Sequence, residues 1–282
     1  MALGTAQQTI TTGANFIPEL WGPQVIMATE DNLVFSKLVW DWSDGNKGKG
    51  DTIHIPNVSN LTSSDKAVNA QVALNAPTEA MTDLPIDTHR ECSFLIEDML
   101  KTQSSFNLMQ VYTKKSGFAI AEQRDTALAT LVASLSQSVG SAGVDLGDEQ
   151  IRDAIEYLDL TNAPFEDRHF VIYPTQKNAL FGIEKYFRAD HRADGESKIL
   201  TKGKFGEIYG MPVYITNNLG TSGAGNARLN VMFHREAFAK ADQLGPRTQG
   251  DYILEYLGNL VVTDMIYGQA ETRDSFGVWC RS

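Results

Sequence analysis

The sequence has few of the residues that mark disulfide-stabilised, metal-binding or nucleic-acid-binding proteins. Only two cysteines occur among 282 residues, Cys92 and Cys280, and their spacing fits neither a zinc site nor a redox motif. A reducing compartment fits this cysteine content. Lysine and arginine number 24 against 35 aspartate and glutamate residues, which gives a net charge of -11. Because binding to a phosphate backbone depends on Lys and Arg, a general nucleic-acid-binding function is disfavoured.

Long hydrophobic runs are also missing. No apolar run approaches the roughly 18 residues that would suggest a membrane span. The first 15 residues lack the positive and apolar regions of a signal peptide. We therefore expect a protein that is made and used inside the cell, with no membrane partner. A hydrophobic content of 42% nevertheless indicates a chain that folds around a core.

Sequence motifs for catalysis and cofactor binding are lacking as well. The glycine-rich segment at 45–50 does not match a phosphate-binding loop and precedes a strand pattern, where a helix would be needed. The five histidines form no pair with metal-ligand spacing, and no GxSxG motif occurs. Glu97 and Asp98 are adjacent, so their carboxylates would diverge on a strand or a helix. The sequence therefore predicts no catalytic residue, no metal ligand and no cofactor.

The N-terminal part of the chain predicts segments that need a partner. Residues 1–15 are small and polar, which is typical of a mobile arm. A short helix is expected after Pro23, in a stretch that contains Trp21, Trp40 and Trp42. So much aromatic area on a peripheral segment indicates packing against another surface.

A long two-stranded projection is predicted next. Strand patterns at 52–56 and 84–96 flank residues 57–80, which are mostly small and polar. The sizeable apolar side chains in between are Leu61, Val68, Val72 and Leu74. An isolated hairpin is marginal in water, so such a projection is expected to lie on a neighbour.

The remainder predicts an α+β protein with one long helix. Apolar residues recur at helical spacing over 102–139, and glycines at 140 and 143 end the pattern. Further helices are predicted at 148–158, 176–183 and 235–241, and strands at 169–173, 211–215, 231–233, 252–257, 260–268 and 276–281.

This order of segments resembles the major capsid proteins of tailed bacteriophages, the Hong Kong 97-type fold family. GKFGEIYGMPVYITNNL at 203–219 is similar to a G-x-I-x-G-x-P-V strand pair that many members carry. FIPELWGPQVIMATEDNLVF at 16–35 resembles the stretch that opens many of these proteins, and HFVIYPTQKNALF at 169–181 resembles a strand and helix of their axial domain. The resemblance covers almost the whole chain.

The resemblance implies a Hong Kong 97-like capsid fold divided into five parts. They are an N-terminal arm at 1–44, an E-loop at 45–86, a peripheral domain with the spine helix at 87–143, an axial domain at 144–250, and C-terminal strands at 251–282 that return to the peripheral domain. The implied function is self-assembly into hexamers and pentamers of an icosahedral head that encloses double-stranded DNA. Such a protein is located in the virion, after assembly in the host cytoplasm.

The implied partners are other copies of the chain, a portal, a decoration protein and the packaged DNA. Many relatives begin with a scaffolding segment of about a hundred residues, which is later removed, and no room for one exists before Phe16. A separate scaffolding protein is therefore expected, the alternative being that this sequence is the mature form. The residues predicted to make inter-subunit contacts are Trp21, Trp40, Trp42, Lys66, Val68, Val72, Leu74, His191 and Arg192. Lys66 is also the candidate donor for the Lys–Asn crosslink that some relatives form.

Two other functions stay open. An encapsulin-like nanocompartment shell has the same fold but encloses cargo enzymes in place of DNA. A cytoplasmic α/β enzyme with a site dispersed in sequence would be a small oligomer with one deep polar pocket.

Overall fold

The structure is a computed structural model that describes most of the chain. The described residues are 33–43, 50–58, 61–72, 74–77, 79–103, 107–187, 206–222, 225 and 227–282. The helices are α1 (Phe35–Leu38), α2 (Asp98–Gln103), α3 (Leu108–Thr130), α4 (Asp148–Leu160), α5 (Pro174–Phe181) and α6 (Glu184–Phe187). The strands are β1 (Trp40–Asp41), β2 (Thr52–Val58), β3 (Glu79–Pro85), β4 (Thr88–Glu97), β5 (Ser138–Gly140), β6 (Arg168–Ile172), β7 (Glu207–Ile208), β8 (Met211–Ile215), β9 (Thr221–Ser222), β10 (Ala227–Arg228), β11 (Asn230–His234), β12 (Phe238–Ile253), β13 (Gly258–Glu271) and β14 (Gly277–Arg281).

A four-stranded sheet, called the long sheet, contains β1, β12, β13 and β4 in that order. β12 has 16 residues and β13 has 14, and they pair antiparallel from Phe238↔Glu271 to Ile253↔Gly258. Both strands greatly exceed the usual length of about five to six residues. Residues 245–252 of β12 are exposed, so this end of the hairpin extends beyond the core.

The helix α3 lies on one face of the long sheet. Its N-terminus is capped by Asn107, whose side chain accepts a hydrogen bond from the backbone N–H of Gln110 at 3.3 Å. Near its middle, Ile120 packs against Met265 and Tyr267 of β13. In the described ranges, no helix has the length and apolar character needed to cross a bilayer.

This helix is shorter than the sequence predicts. The apolar periodicity indicates a helix over 102–139, whereas α3 ends at Thr130 and continues only as a 3-10 turn, Leu131–Ser134. Leu135 still fits the apolar periodicity of the sequence, but its backbone has left the helical conformation. Its side chain is buried against Gly277. Packing against a distant segment therefore ends the helix early.

A six-stranded sheet, called the wide sheet, has the order β5-β14-β11-β6-β8-β7. Every residue of β11, at its centre, is buried. The helix α4 contributes Ile151, Ala154 and Leu158 to the core, because these residues recur on one helix face. The predictions of a helix at 148–158 and a strand at 211–215 are confirmed by α4 and β8.

Residues 235–241 are mostly strand, where the sequence predicts a helix. Ala, Glu and Lys favour helices locally, but only Arg235–Ala237 makes a helical turn and β12 begins at Phe238. Phe238, Ala239 and Ala241 are fully buried and pair with β13. Burial within the sheet outweighs local propensity at this point.

The C-terminal strands are divided between the two sheets. Residues 254–257, within a run predicted as strand, form the turn between β12 and β13. The predicted domain boundary between residues 250 and 251 falls inside β12. β14 pairs with β11 and β5 in the wide sheet, although the sequence places it with the peripheral strands. The reason is that the hairpin of β12 and β13 lies between β11 and β14 in the chain. The chain therefore leaves the wide sheet after β11 and rejoins it at β14.

Candidate assembly surfaces

The antiparallel hairpin of β2 and β3, together with the residues between them, is called the tongue. Its root is anchored in the subunit, where Ile55, Leu84 and Ile86 are buried against Ala239 and Ala241 of β12. Leu84 has no exposed surface at all. The root therefore holds the tongue in a fixed position on the long sheet.

The root of the tongue crosses β13 at Gly268. A Cβ atom at this position would lie 2.1 Å from the carbonyl oxygen of Pro85. Only glycine allows two backbones to approach so closely. Beside this contact, the backbone N–H of Ile86 donates to the carbonyl of Asp51 at 2.7 Å and closes the root.

Trp40 and Trp42 lie at the root of the tongue, inside their own subunit. Their ring centroids are 4.7 Å apart, and both partly buried rings pack against the cluster that includes Ile55 and Leu84. The backbone N–H of Trp42 donates to the carbonyl of Lys240 at 2.8 Å. The aromatic area that predicted a contact with another subunit is thus used within the chain, and a further contact of these rings stays a prediction.

The tip of the tongue is exposed over all its described residues, 61–72 and 74–77. Its exposed apolar side chains are Leu61, Val68, Val72 and Leu74. Val68 is 89% exposed and Leu74 is 92% exposed. The Asn75 side-chain amide donates to the carbonyl of Thr62 at 2.6 Å, which ties the two arms of the tip together. The tip therefore presents apolar groups, with Lys66 among them, to the outside of the subunit.

A second exposed apolar surface, which the sequence pattern did not predict, lies where β12 turns into β13. This far-end patch consists of Met99, Leu100, Leu254, Tyr256 and Leu257, each at least 52% exposed. The backbone N–H of Asp98 donates to the carbonyl of Leu257 at 2.9 Å, and the Tyr252 hydroxyl donates to the Asp98 carboxylate at 2.7 Å. The strand-like pattern of 252–257 concealed the turn, although Gly258 directly after it was a turn signal.

Several solved structures share this fold over almost the whole chain. The chain matches a structure from Mycobacterium phage Che8 with a TM-score of 0.82 and 26% identity, over 94% of this chain and 97% of that chain. It matches the capsid structure of cyanophage P-SCSP1u with a TM-score of 0.81 and 17% identity, over 99% and 96% of the two chains. The chain has the Hong Kong 97-type fold of these phage structures.

A third structure, also a capsid, has the same fold at lower identity. The mature capsid of bacteriophage PhiM1 matches with a TM-score of 0.73 and 11% identity, over 94% of this chain and 92% of that chain. No protein-family model and no curated protein sequence matches the chain.

A buried carboxylate, Asp125, joins three separate segments. From its position on α3 it accepts hydrogen bonds from the backbone N–H groups of Val34 at 3.3 Å and Ser36 at 3.1 Å, which begin α1. It also accepts one from the side-chain amide of Asn218, in the loop after β8, at 3.2 Å. The long helix, the N-terminal segment and the wide sheet are thus held together at one point.

A second carboxylate, Asp264, links all three long strands of the long sheet. Arg247 on β12 donates to both carboxylate oxygens, at 2.7 and 2.9 Å, and His89 Nε2 on β4 lies 3.1 Å away. The hydrogen bonds from Arg247 and His89 lower the pKa of Asp264 to about 2. The carboxylate is therefore ionised at any pH near neutrality.

A third carboxylate, Asp148, binds α6 and the turn before β8 to the start of α4. Burial alone would raise the pKa of this carboxyl. Hydrogen bonds from the hydroxyls of Tyr209 and Tyr186, followed by the ammonium of Lys185, lower it to about 2. The segment after α6 leads to His191 and Arg192, which lie outside the described residues, as does Trp21. Their predicted contacts stay predictions.

Both cysteines are free thiols. Burial raises the pKa of the Cys280 thiol to about 12. Because the thiolate is the reactive form, Cys280 is a core side chain and not a nucleophile. Within the described ranges, no group of three His, Cys, Asp or Glu side chains could hold a metal ion.

Proposed function

We propose that this capsid protein is the major shell subunit of a phage head. Copies of it assemble into hexamers and pentamers, which close into an icosahedral shell around double-stranded DNA. The observation that carries this proposal is the tongue, which has a buried root and an exposed apolar tip. A monomer gains no stability from such a tip, whereas a shell subunit gains it by covering a neighbour.

The tip is well suited to many weak contacts that add up. Burying one exposed Val or Leu side chain contributes about 1.5–3 kcal/mol. Val68 and Leu74 are almost fully exposed, so each has most of that free energy left to gain. The Thr62–Asn75 hydrogen bonds already order the tip, which lowers the entropy that docking must remove. Repeated around a closed shell, such contacts reinforce one another.

The far-end patch supplies a second contact, made with a different neighbour. The tongue root touches β12 at Ala239 and Ala241, whereas the patch includes Leu254 just beyond the other end of that strand. Some 12 residues of strand, at about 3.3 Å each, separate the two regions by roughly 40 Å. A subunit with the tongue rooted at one end of β12 and an apolar patch at the other can bind neighbours both within a capsomer and between capsomers.

Assembly takes place in the host cytoplasm with a separate scaffolding protein and a portal, and a decoration protein binds the finished shell. The packaged DNA touches the shell without sequence specificity. The net charge of -11 supports this role, because an acidic container does not retain the genome as it enters or leaves.

Removal of the tongue beyond its root tests the proposal. Pro56 and Met81 are register partners, so an Asn-Gly turn can replace residues 57–80 and join them directly. We expect a folded, soluble subunit, since Ile55 and Leu84 remain in place. We also expect no shells by negative-stain microscopy when this variant is expressed with its scaffold. Shells of normal diameter from the shortened chain would disprove the role of the tongue.

The contents of wild-type particles separate this proposal from the two alternatives. Shells that protect double-stranded DNA from nuclease support the phage head. Shells of uniform diameter filled with an enzyme would identify an encapsulin-like nanocompartment. A small oligomer that forms no shell under any condition would favour the enzyme.

A further inference from the structure

Four polar side chains lie at the contact between α3 and the long sheet, and each has one buried atom without a hydrogen-bond partner among the described residues. The atoms are Arg124 Nε on α3, Asp242 Oδ1 on β12, and Tyr267 Oη and Gln269 Oε1 on β13. Native structures seldom leave a buried polar atom unpaired, because the loss of its bond to water is then not compensated. Four such atoms at one helix–sheet contact indicate a shared partner.

The three strand residues lie on the face of the long sheet that α3 covers. Asp242 and Tyr267 are register partners, and Gln269 is two residues from Tyr267 on the same strand. Side chains alternate along a strand, so all three point to one face. Ile120 of α3 packs against Tyr267, which identifies that face as the one under the helix. Opposite side chains have Cβ atoms about 4.5–5.5 Å apart, so these polar groups are neighbours.

The helix α3 and the strand β13 run in the same direction across this contact. Near the middle of the helix, Ile120 packs against Met265 and Tyr267, and beyond its end the Ser134 hydroxyl donates to Glu271. Four helix residues advance about 6 Å along the axis, and two strand residues advance about 6.6 Å. Four residues of the helix therefore keep in step with two residues of the strand.

Arg124 is the next residue on this helix face after Ile120. Its spacing of four places the side chain one strand step further on, beside Tyr267 and Gln269. The contacts of the guanidinium agree with this position, because Nη1 donates to Asp242 Oδ2 at 2.8 Å. The Nε–H of Arg124 and the Oδ1 of Asp242 are left over from this ion pair. The four unpaired atoms thus belong to residues that meet at one point.

The unpaired atoms match the hydrogen-bonding capacity of a single water molecule. Arg124 Nε and the Tyr267 hydroxyl are donors, whereas Asp242 Oδ1 and Gln269 Oε1 are acceptors. A water molecule accepts two hydrogen bonds and donates two, and a buried water typically makes about three bonds to otherwise unpaired groups. Two donors and two acceptors at one point therefore form a complete water site.

Other small ligands fit these groups poorly. The Arg124 guanidinium repels a metal cation, and the Asp242 carboxylate repels an anion. An apolar molecule would leave all four atoms unpaired. Because the atoms are shielded from solvent, the ligand must also be small enough to be enclosed. Water meets both conditions.

We propose that one water molecule is bound between α3 and the long sheet, held by Arg124, Asp242, Tyr267 and Gln269. It links the helix to both central strands of the sheet, next to the apolar contact of Ile120. The Arg124–Asp242 ion pair gains most, since each of its two partly buried groups otherwise lacks one hydrogen bond. The site lies within one subunit, so its failure would leave the proposed shell function untouched.

A crystal structure of the full-length subunit, at a resolution that shows ordered water, tests the site directly. We expect one water peak within about 2.5–3.2 Å of at least three of the four unpaired atoms. A peak bound by fewer than three of them would overturn the proposal. So would density without a peak among them, or side chains that pair with one another.

Tyr267→Phe tests the same site through stability. A hydroxyl bonded to water loses one hydrogen bond, so the equilibrium constant for unfolding in urea should rise about fivefold. If the hydroxyl has no partner, its removal should leave that constant unchanged or lower it, and this result would overturn the proposal. Tyr256→Phe is the matched control, because Tyr256 is 62% exposed and its variant should unfold as wild type.

A double-variant cycle of Tyr267→Phe with Gln269→Met shows whether the two residues share one molecule. If the same water bridges them, the loss of either partner weakens its binding. The double variant should then raise the unfolding constant by less than the product of the two single effects. Single effects that simply multiply would show that no molecule is shared, and the site as proposed would be wrong.

Discussion

The hydroxyl of Ser116 on α3 lies 2.9 Å from the hydroxyl of Thr263 on β13, and both side chains are buried. Thr263 in turn lies 3.2 Å from Thr248 on β12. The long helix is therefore fixed to its sheet through a row of hydroxyl groups as well as through apolar side chains. Because hydrogen bonds are directional, this row gives the helix one register on the sheet.

Thr263→Val should destabilise the subunit more than Ser116→Ala. Valine removes the partner of two hydroxyls at once. Alanine leaves Thr263 bonded to Thr248, and the second bond that it removes, from the Ser116 hydroxyl to the Thr113 carbonyl at 2.9 Å, lies within the helix, where the higher helix propensity of alanine offsets its loss. Each lost buried hydrogen bond costs about 1 kcal/mol, so we expect about 2 kcal/mol for Thr263→Val and about 1 for Ser116→Ala. Urea unfolding of the single and double variants measures both costs and the coupling between them. Equal costs for the two substitutions would contradict the shared role of Thr263.

The sequence predicts the elements that show a regular local pattern of apolar residues. It mispredicts the elements whose secondary structure depends on contacts with a segment distant in the chain. The helix at 148–158 and the strand at 211–215 are found from periodicity, because each buries one regular face. The end of α3 depends on Gly277, and the strand from Phe238 depends on β13. Neither partner is close in sequence. The exposed tip of the tongue was predictable from its polarity, whereas the far-end patch depends on a turn that closes only when β12 and β13 pair.

Gly268→Ala should loosen the root of the tongue. The new Cβ would lie 2.1 Å from the Pro85 carbonyl oxygen, so one of the two backbones must move. Overpacking of this kind typically costs about 1–3 kcal/mol, and we expect the upper end because a backbone atom cannot rotate away. Thermal unfolding by circular dichroism measures the loss. Gly245→Ala is the control, since no described atom lies within 4 Å of its added Cβ, and its melting temperature should stay near that of wild type.

Gly117→Ala should have the opposite effect. Gly117 lies in the interior of α3, and among the described residues no atom lies within 4 Å of the position of an added Cβ. Alanine in a helix interior is favoured over glycine by about 1 kcal/mol. The free energy of unfolding should rise by that amount. A destabilised subunit would show that α3 is bent or crowded at this point, as the glycine alone would suggest.

The tip and the root of the tongue should separate assembly from stability. Leu74→Ser changes a side chain that is 92% exposed, so the subunit should unfold as wild type but form shells more slowly or not at all. Leu84→Ala removes a fully buried side chain and should cost about 2–5 kcal/mol of subunit stability. Light scattering during assembly and urea unfolding provide the two measurements. Unimpaired assembly of Leu74→Ser would remove Leu74 from the contact surface.

Acid should weaken the long sheet through Asp264 only at very low pH. Hydrogen bonds from Arg247 and then His89 lower the pKa of Asp264 from its ordinary value of 3.8 to about 2. A carboxyl whose pKa is lowered on folding stabilises the protein above its unfolded value, and this contribution is lost as the pH falls through the folded value. The stability difference between wild type and Asp264→Asn should therefore be constant from neutral pH down to about pH 4 and shrink between about pH 4 and pH 2. Urea unfolding across this range measures the difference, and a gap that stays constant down to pH 2 would show that Asp264 is not held by Arg247 and His89 in solution.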